Sequence, residues 1–418
     1  MSADSKTIKL IMVTQENNNK FYNMFDHGDG TMHVEYGRVE LTNIRKDYSL
    51  GKWDSLYRSK TKKGYEDVTR LYTEVIEDAS SNKKIRKIGI SDNKIRTMFE
   101  ELQNYANVTV KENYSVTSAS VTQAMVDEAQ VVVDDLIGML KINANVGQLN
   151  ENLMKLFKII PRYIKKVQLI LFTEIENKKH LDTAKKKMVA EQDILDTMAG
   201  QVLATSKTKV FDDQNEDTNE AVNVLDQLGL EIENITSQEE QIIKQALGDS
   251  KNNFSKAFKV INKETQKKYN RHSAKFHSGP RKEEFFWHGS RNQNIYFILQ
   301  KGLLIRPSGA IHTGSMFGDG IYFADKARKS IGYSSLSGSY WSGGSSSKGF
   351  LILYAVDVGK QKKIKRHDSS CYRLSRKVMD NEGYDSVYAQ GGMDLRNNEY
   401  IVYEGEKCTV KYLVELKN

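Results

Sequence analysis

Between residues 120 and 250 apolar residues recur at helical spacing, and Pro161 is the only proline from the first residue to Pro280. VDEAQVVVDDLIGMLKI, LNENLMKLFKII and AEQDILDTMAGQVLA repeat apolar residues three or four apart, which puts them on one helix face. Stripes of this kind are core rather than a cofactor box, and Pro161 punctuates two of the helices. KTKVFDDQNEDTNEA, at 207–221, reads as an acidic loop or a frayed end. An all-helical middle obliges the strand-patterned residues on either side to fold separately, and 418 residues are enough for two or three domains.

Upstream, KTIKLIMVT and TMHVEYGRVE are strand-like, DHGDGT is a hairpin signal, and KWDSLYRSKTKKGY is helical up to its Lys-Lys-Gly stop. NKKIRKIGISDNKIR, at 82–96, sets six basic residues against one acid and reads as a solvated linker or helix face, with a nuclear-import signal as the second reading. After FEELQ no helix is evident before SVTQAM. From about 254 the pattern turns to strands: FSKAFKVINK, EEFFWHGS, GIYFAD, GFLILYAVDVG, DSVYA, NEYIVY and CTVKYLVELK. One clear helix, NQNIYFILQKG, ends on Gly302 as its C-terminal cap. The fold class is therefore multidomain α+β: a small β-rich domain, an all-α helical bundle, and a C-terminal antiparallel α+β domain.

Composition narrows the function. Cys371 and Cys408 are the only cysteines, which excludes cysteine-cluster zinc fingers and points to a reducing compartment. Apolar runs such as VQLILF, at 167–172, are far too short to span a bilayer. No charged-then-apolar leader opens the chain, which argues against secretion. Net charge +8 permits a polyanionic partner without identifying one.

Three stretches of the last domain carry chemistry. FWHGS ends a strand in a polar turn, where Gly289 lets backbone approach an amide and His288 and Ser290 add donors and acceptors. MFGDGIYFAD places Tyr322 just after a Gly-Asp-Gly turn whose simplest reading is a β-hairpin, and Tyr333 follows eleven residues later. Two such rings can close on one flat ligand from opposite sides, stacking worth roughly 0.5–1.5 kcal/mol per pair. In RNNEYIVY, Glu399 heads a strand. Alone, each is an ordinary turn, a pair of core tyrosines or an exposed strand start. A dinucleotide fingerprint and a calcium loop both fail here, because a strand follows the turn and the ligand oxygens are absent.

In order and spacing, FFWHGSR, KGLLI, TGSMFGDGIYFADKARKSIGYSS and NEYIVY together resemble the catalytic domain of the poly(ADP-ribose) polymerase family. The histidine–tyrosine–glutamate signature of its polymerising branch is matched by His288, Tyr322 and Glu399. NKFYNMFDHGDGTMHVEYGRVE is similar to the family's WGR domain, with Tyr36 in place of the name-giving tryptophan before Gly37 and Arg38. The central helices resemble the helical regulatory domain that covers the NAD site until DNA relieves it. Expected boundaries are a WGR-like domain with a basic linker at 1–110, a helical domain, shortened at its start, at 115–252, and the ADP-ribosyltransferase domain at 254–418.

The resemblance implies NAD as substrate, with no metal, and assigns roles. Tyr333 and Tyr322 flank the nicotinamide, Gly289 and Ser330 hold its carboxamide, and His288 with Ser290 contacts the adenine-side ribose. Glu399 stabilises the charge that develops on the ribose and orients the acceptor. Lys329 is a second acceptor-side contact, or a solvent lysine. Where many relatives carry arginine after Gly-Leu this chain has Leu304, with Arg306 two residues on along the same strand face. Ser315 stands where tyrosine is common. Nucleic-acid contacts fall to Tyr36, Arg38, Lys46, Lys52 and Arg58. The serine-rich SSLSGSYWSGGSSSKG reads as a flexible loop, or as automodification acceptors beside Lys348. The expected function is poly(ADP-ribosyl)ation of proteins, itself included, stimulated by DNA breaks, with an accessory factor as a further partner and no membrane. A nuclear place is expected in a eukaryote and an intracellular one otherwise. Mono-ADP-ribosyl transfer, or a DNA-binding adaptor with weak transferase activity, are the competing readings.

Overall fold

The computed structural model describes residues 6–39, 41, 43–72, 89–113, 121–142, 144–214, 223–305, 316–340 and 342–418. Arg306, Ser315 and residues 82–88 of the basic run lie outside the described residues. The chain divides into two compact units, residues 1–85 with 107–203 and residues 86–106 with 204–418.

In the first unit an antiparallel sheet of order β4-β3-β2-β1-β5 is built from β1 (Thr7–Thr14), β2 (Asn18–Asp26), β3 (Thr31–Arg38), β4 (Ile44–Ser49) and β5 (Glu66–Asp67). Alternate residues of the strands, among them Leu10, Tyr22, Met24, Met32 and Val34, bury one face around Trp53, the first residue of helix α1 (Trp53–Lys62). Helix α2 (Asn93–Asn113) packs, through its residues up to Ala106, within the second unit. Helices α3 (Gln123–Lys141), α4 (Val146–Ile159) and α5 (Lys178–Gln214) follow. Thr122 and Asn145 cap α3 and α4 with side-chain oxygens on free backbone N–H groups. Helix α5 runs 37 residues and takes in KTKVFDDQ, whereas NEDTNEA, the rest of the stretch expected as an acidic loop or a frayed end, lies outside the described residues. The β1–β2 turn is fastened to the segment after α4. Asn17 Oδ1 accepts from Val167 N at 3.0 Å, and buried Asn19 donates to Arg162 O at 3.0 Å.

The second unit holds two sheets, β6-β7-β14-β10-β8 and β11-β12-β13-β9. The first is antiparallel; in the second only β11 and β12 run parallel. Strand β6 (Leu230–Asn234) pairs with β7 (Phe254–Asn262), so the sheet begins well before 254 and takes in residues expected in the helical region. Around the strands sit α6 (Val224–Gln227), α7 (Ser237–Leu247), α8 (Lys263–Arg271), α9 (Asn292–Lys301), α10 (Ala327–Ile331) and α11 (Arg376–Glu382), more helix than the one expected. Strands β8 (Glu283–Gly289), β9 (Ile321–Phe323), β10 (Lys348–Asp357), β11 (Gln361–Ile364), β12 (Ser386–Ala389), β13 (Glu399–Val402) and β14 (Cys408–Lys417) complete it.

Helix α2 corrects the reading that no helix follows FEELQ. Ile95, Met98, Phe99, Leu102 and Ala106 fall on one face and are buried with Phe286, Tyr296 and Phe350. Its polar face supplies Glu101, whose carboxylate takes the Lys348 ammonium at 2.8 and 2.9 Å.

The serine-rich stretch is also not a flexible loop. Ser334 and Ser339 hydroxyls donate to the Ile331 carbonyl at 2.8 and 2.7 Å, and Leu336 forms a bridge with Ser346. Hydroxyls that would face water in a linker instead satisfy buried carbonyls.

Candidate active site

MFGDGIYFAD is not a hairpin. Strand β9 pairs with β13, Tyr322 opposite Ile401 and Phe323 opposite Tyr400. Residues two apart on a strand share a face, so this register alone brings Glu399 to the side of Tyr322. The preceding turn closes through close backbone approach. A Cβ on Gly318 would lie 1.9 Å from the Leu374 carbonyl oxygen, and its φ of +74° favours glycine. The Tyr322 hydroxyl staples the turn: it donates to Gly318 O at 2.7 Å and accepts from Phe317 N at 3.0 Å. Tyr403 OH donates to Phe317 O at 2.6 Å, adding a second staple.

His288 and Gly289 end β8, which is joined to β9 by a bridge between Trp287 and Ala324. His288 Nδ1 donates to Tyr322 O across 3.0 Å, which leaves Nε2 with the lone pair. Burial lowers the His288 pKa, keeping the ring neutral. A Cβ on Gly289 would overlap the Ser330 carbonyl oxygen at 1.9 Å, so β8 and α10 meet backbone to backbone. The buried Ser330 hydroxyl donates to Trp287 O at 3.1 Å. Ser290 Oγ accepts from Asn294 at 3.4 Å.

Glu399 is 5% exposed, which commits its charge to the interior. Lys329, from α10, forms an ion pair with Oε1, while buried Oε2 has no hydrogen-bond partner. Burial raises the Glu399 pKa, and the Lys329 charge and hydrogen bond pull it partly back. Tyr322 and Tyr333 both lie within reach of this carboxylate: burial, then its charge among other influences, raises their phenols, that of Tyr333 to about 12. Hydrogen bonds, an ion pair and close packing thus bring together His288, Gly289, Tyr322, Lys329, Ser330, Tyr333 and Glu399, while Ser290 follows Gly289 and bonds to Asn294. The unpartnered Oε2 of Glu399 is free to accept from a hydroxyl.

Sequence reasoning overlooked Asn398, beside Glu399 in RNNEYIVY, and Asp325, at the end of GIYFAD. Asn398 Nδ2 donates to Asp325 Oδ2 at 2.7 Å, and Asn398 Oδ1 accepts from Gly391 N at 2.9 Å. Their strand register was the signal, and it needs the β9–β13 pairing to be seen.

In the first unit, Lys46, Lys52 and Arg58 are exposed, whereas Arg38 is half-buried with Nη1 donating to Asn17 O at 2.9 Å. The Tyr36 ring has two lysines over it, Lys46 Nζ at 5.9 Å and Lys60 Nζ at 5.8 Å. Lys60 also lies 4.1 Å from the centre of Tyr22, a contact no sequence pattern announced. Among the described residues no helix is long and apolar enough to cross a membrane, and no three His, Cys, Asp or Glu converge as metal ligands.

Residues 231–418 match the family model described as the poly(ADP-ribose) polymerase catalytic domain. "Uncharacterized protein 101L" of Invertebrate iridescent virus 6 is 34% identical over 194 residues, 46% of this chain and 76% of that protein. "Putative poly [ADP-ribose] polymerase-like 100L" of the same virus is 30% identical over 139 residues, 32% of this chain and 72% of that protein. "Poly [ADP-ribose] polymerase" of Drosophila melanogaster is 26% identical over 327 residues, 70% of this chain but only 30% of that protein.

Proposed function

We propose, from the fact that the chain belongs to the poly(ADP-ribose) polymerase family and is an NAD-dependent ADP-ribosyltransferase, that it builds poly(ADP-ribose) on proteins, itself included, when the first unit binds broken DNA. One observation carries the catalytic half of this reading. Glu399 is a buried carboxylate with one oxygen held by Lys329 and the other unfilled, beside two tyrosines.

The chemistry follows from charge. The nicotinamide of NAD is cationic and leaves as a neutral molecule, so the difficult step is the oxocarbenium-like ribose left behind. A carboxylate fixed in a dry site stabilises that charge as it develops, at little reorganisation cost. Glu399 Oε2 takes a ribose hydroxyl, Lys329 keeps the carboxylate ionised, and Tyr322 and Tyr333 enclose the leaving ring. Gly289 and Ser330 hold the carboxamide. His288 Nε2 accepts from the adenine-side ribose, a role that needs the neutral ring its burial favours. For elongation the same carboxylate orients the acceptor hydroxyl and takes its proton, the oxygen's electron pair forms the bond to the ribose carbon, and the carbon–nitrogen bond breaks with its pair leaving on nicotinamide.

The first unit, with Tyr36, Lys46, Lys52 and Arg58, is read as a WGR-type nucleic-acid surface, and α3–α5 as the helical regulatory element. Arg38 links the two in this reading, because Asn17 takes its guanidinium through the carbonyl and Val167 through the side chain.

Labelled NAD with nicked duplex DNA is expected to give a high-mass ladder; a single discrete shift would leave mono-ADP-ribosyl transfer. Glu399→Gln is expected to cut elongation far more than NAD binding, and equal losses would overturn its role. DNA stimulation that persists in Arg38→Ala would remove the route through Asn17, and a weak salt dependence of DNA binding would count against phosphate contacts.

A further inference from the structure

We propose that Asn398 is a positioning residue of this site, locking Glu399 into place against the segment that carries Lys329. The inference rests on the reading of Glu399 as the catalytic carboxylate. Extended by one step beyond Glu399, the register of β9 and β13 sets Asn398 opposite Asp325. At that point the backbone pairing has ended, because β9 stops at Phe323 and β13 begins at Glu399. The Asn398–Asp325 hydrogen bond of 2.7 Å takes over the function of the missing ladder.

One side chain thereby ties three segments together. Its Nδ2 holds Asp325, two residues before α10 with Lys329 and Ser330; its Oδ1 holds Gly391 N at 2.9 Å; its backbone leads directly into Glu399. The Gly391 loop is pressed against the same place, since a Cβ there would sit 2.7 Å from the carbonyl carbon of Asn397. Both members of the Lys329–Glu399 ion pair therefore hang from backbones joined by the Asn398–Asp325 bond. Asp325 keeps a second oxygen, Oδ1, buried without a hydrogen-bond partner. Leaving a buried carboxylate oxygen unpartnered costs stability, and the side-chain hydrogen bond that Asp325 accepts comes from Asn398.

Misplacing a reacting group by about 1 Å can lower a rate about a hundredfold. Ser330 shares α10 with Lys329, but its hydroxyl is anchored on Trp287 O and its backbone is packed on Gly289 of β8, so the grip on NAD does not hang on Asn398, and loosening Asn398 is expected to lower kcat and to leave the KM for NAD nearly unchanged.

The test uses the full chain, with NAD cleavage and elongation followed well below each variant's thermal midpoint. Asn398→Ala is expected to lower kcat about tenfold with KM within about twofold of the parent, a ratio equal to about 1.4 kcal/mol. Asn398→Asp sets a second carboxylate against Asp325 and is expected to be slower still. Adding Asp325→Asn to Asn398→Asp reverses the polarity of the bond while keeping the Gly391 contact, and is expected to recover most of kcat. Unchanged kcat in Asn398→Ala, a rise in KM that accounts for the whole loss, or a double variant as slow as Asn398→Asp would each overturn the proposal. Glu399→Gln is measured alongside. If its turnover equals the parent's, the reading of Glu399 fails; if it is inactive while Asn398→Ala is unaffected, only the positioning role fails.

Discussion

Gly28-Asp29-Gly30 and Gly318-Asp319-Gly320 spell the same triplet in two regions, and the two turns have opposite surroundings. In the β2–β3 hairpin of the first unit, Gly28 and Gly30 have φ of +75° and +87°, and a Cβ on Gly30 would meet nothing within 4 Å. The turn is exposed and, apart from Leu50 N on Gly30 O at 2.9 Å, held by its own residues: Asp29 Oδ1 accepts from Thr31 N at 2.9 Å and from the Thr31 hydroxyl at 2.5 Å. In the catalytic unit, Gly318 also has positive φ, but Leu374 leaves no room for a side chain, and a Cβ on Gly320 would lie 2.4 Å from Ile401 Cγ2. Local sequence selects the conformation in both places. Packing decides whether the glycine is a convenience or a necessity, and only the packed turn delivers a tyrosine into a site.

The sharpest way to break this contrast is Gly318→Ala. Positive φ costs roughly 1–2 kcal/mol in either turn, and overlap with the Leu374 carbonyl adds a term that no flexible side chain can absorb. The expected loss exceeds about 4 kcal/mol, seen as a collapsed denaturation midpoint and no measurable NAD cleavage. A folded, active Gly318→Ala protein would mean that the approach to Leu374 is not required.

Tyr322→Phe comes next. It keeps the ring but strands the Phe317 N–H, a cost of about 1–3 kcal/mol, while the Gly318 carbonyl keeps Gly320 N at 3.1 Å. Denaturant unfolding should show that loss. If the hydroxyl serves the turn rather than the reaction, kcat should change less than the KM for NAD.

The carboxylates of the two regions are also driven in opposite directions. Hydrogen bonds from Thr31 lower the Asp29 pKa, whereas burial raises that of Glu399. In the proposed mechanism Glu399 works ionised, so kcat is expected to fall on the acid side at a pH above the ordinary glutamate value of about 4.3. Lys329 acts to lower the Glu399 pKa, so Lys329→Met is expected to move that acid limb to higher pH. The rate deficit caused by lost ionisation should then shrink as pH rises. An acid limb that stays in place would separate Lys329 from the carboxylate's ionisation.

How far these features were legible in the sequence depends on where their partners lie along the chain. Strand β10 announces itself because a central strand is a nearly continuous apolar run, and β7, β8 and β14 do so through their aromatic and β-branched residues. Glu399 and Tyr322 stand out because motif order carries them. Asn398 and Tyr403 do not, since Asp325 and Phe317 lie far away in sequence and only the folded register joins them. Helix α2 hides its stripe from Ile95 to Ala106 behind a run of basic residues. The serines of 334–346 have the composition of a linker, and their bonding to Ile331 is a tertiary fact.

Gly30→Ala and Asp29→Ala should have the smallest effects, and they test the exposed half of the contrast. Gly30→Ala meets only the backbone term, roughly 1–2 kcal/mol, with NAD cleavage in the absence of DNA unchanged. Asp29→Ala removes two hydrogen bonds in full solvent and should cost less. Its pKa is lowered in the folded protein, so its contribution is present above the unfolded value of about 3.9 and is lost as pH falls through the folded one. The difference in unfolding midpoint between parent and Asp29→Ala should therefore narrow in acid. A Gly30→Ala protein as damaged as Gly318→Ala would show that the hairpin is held by something outside itself, and the distinction between a free turn and a packed one would no longer separate the two regions.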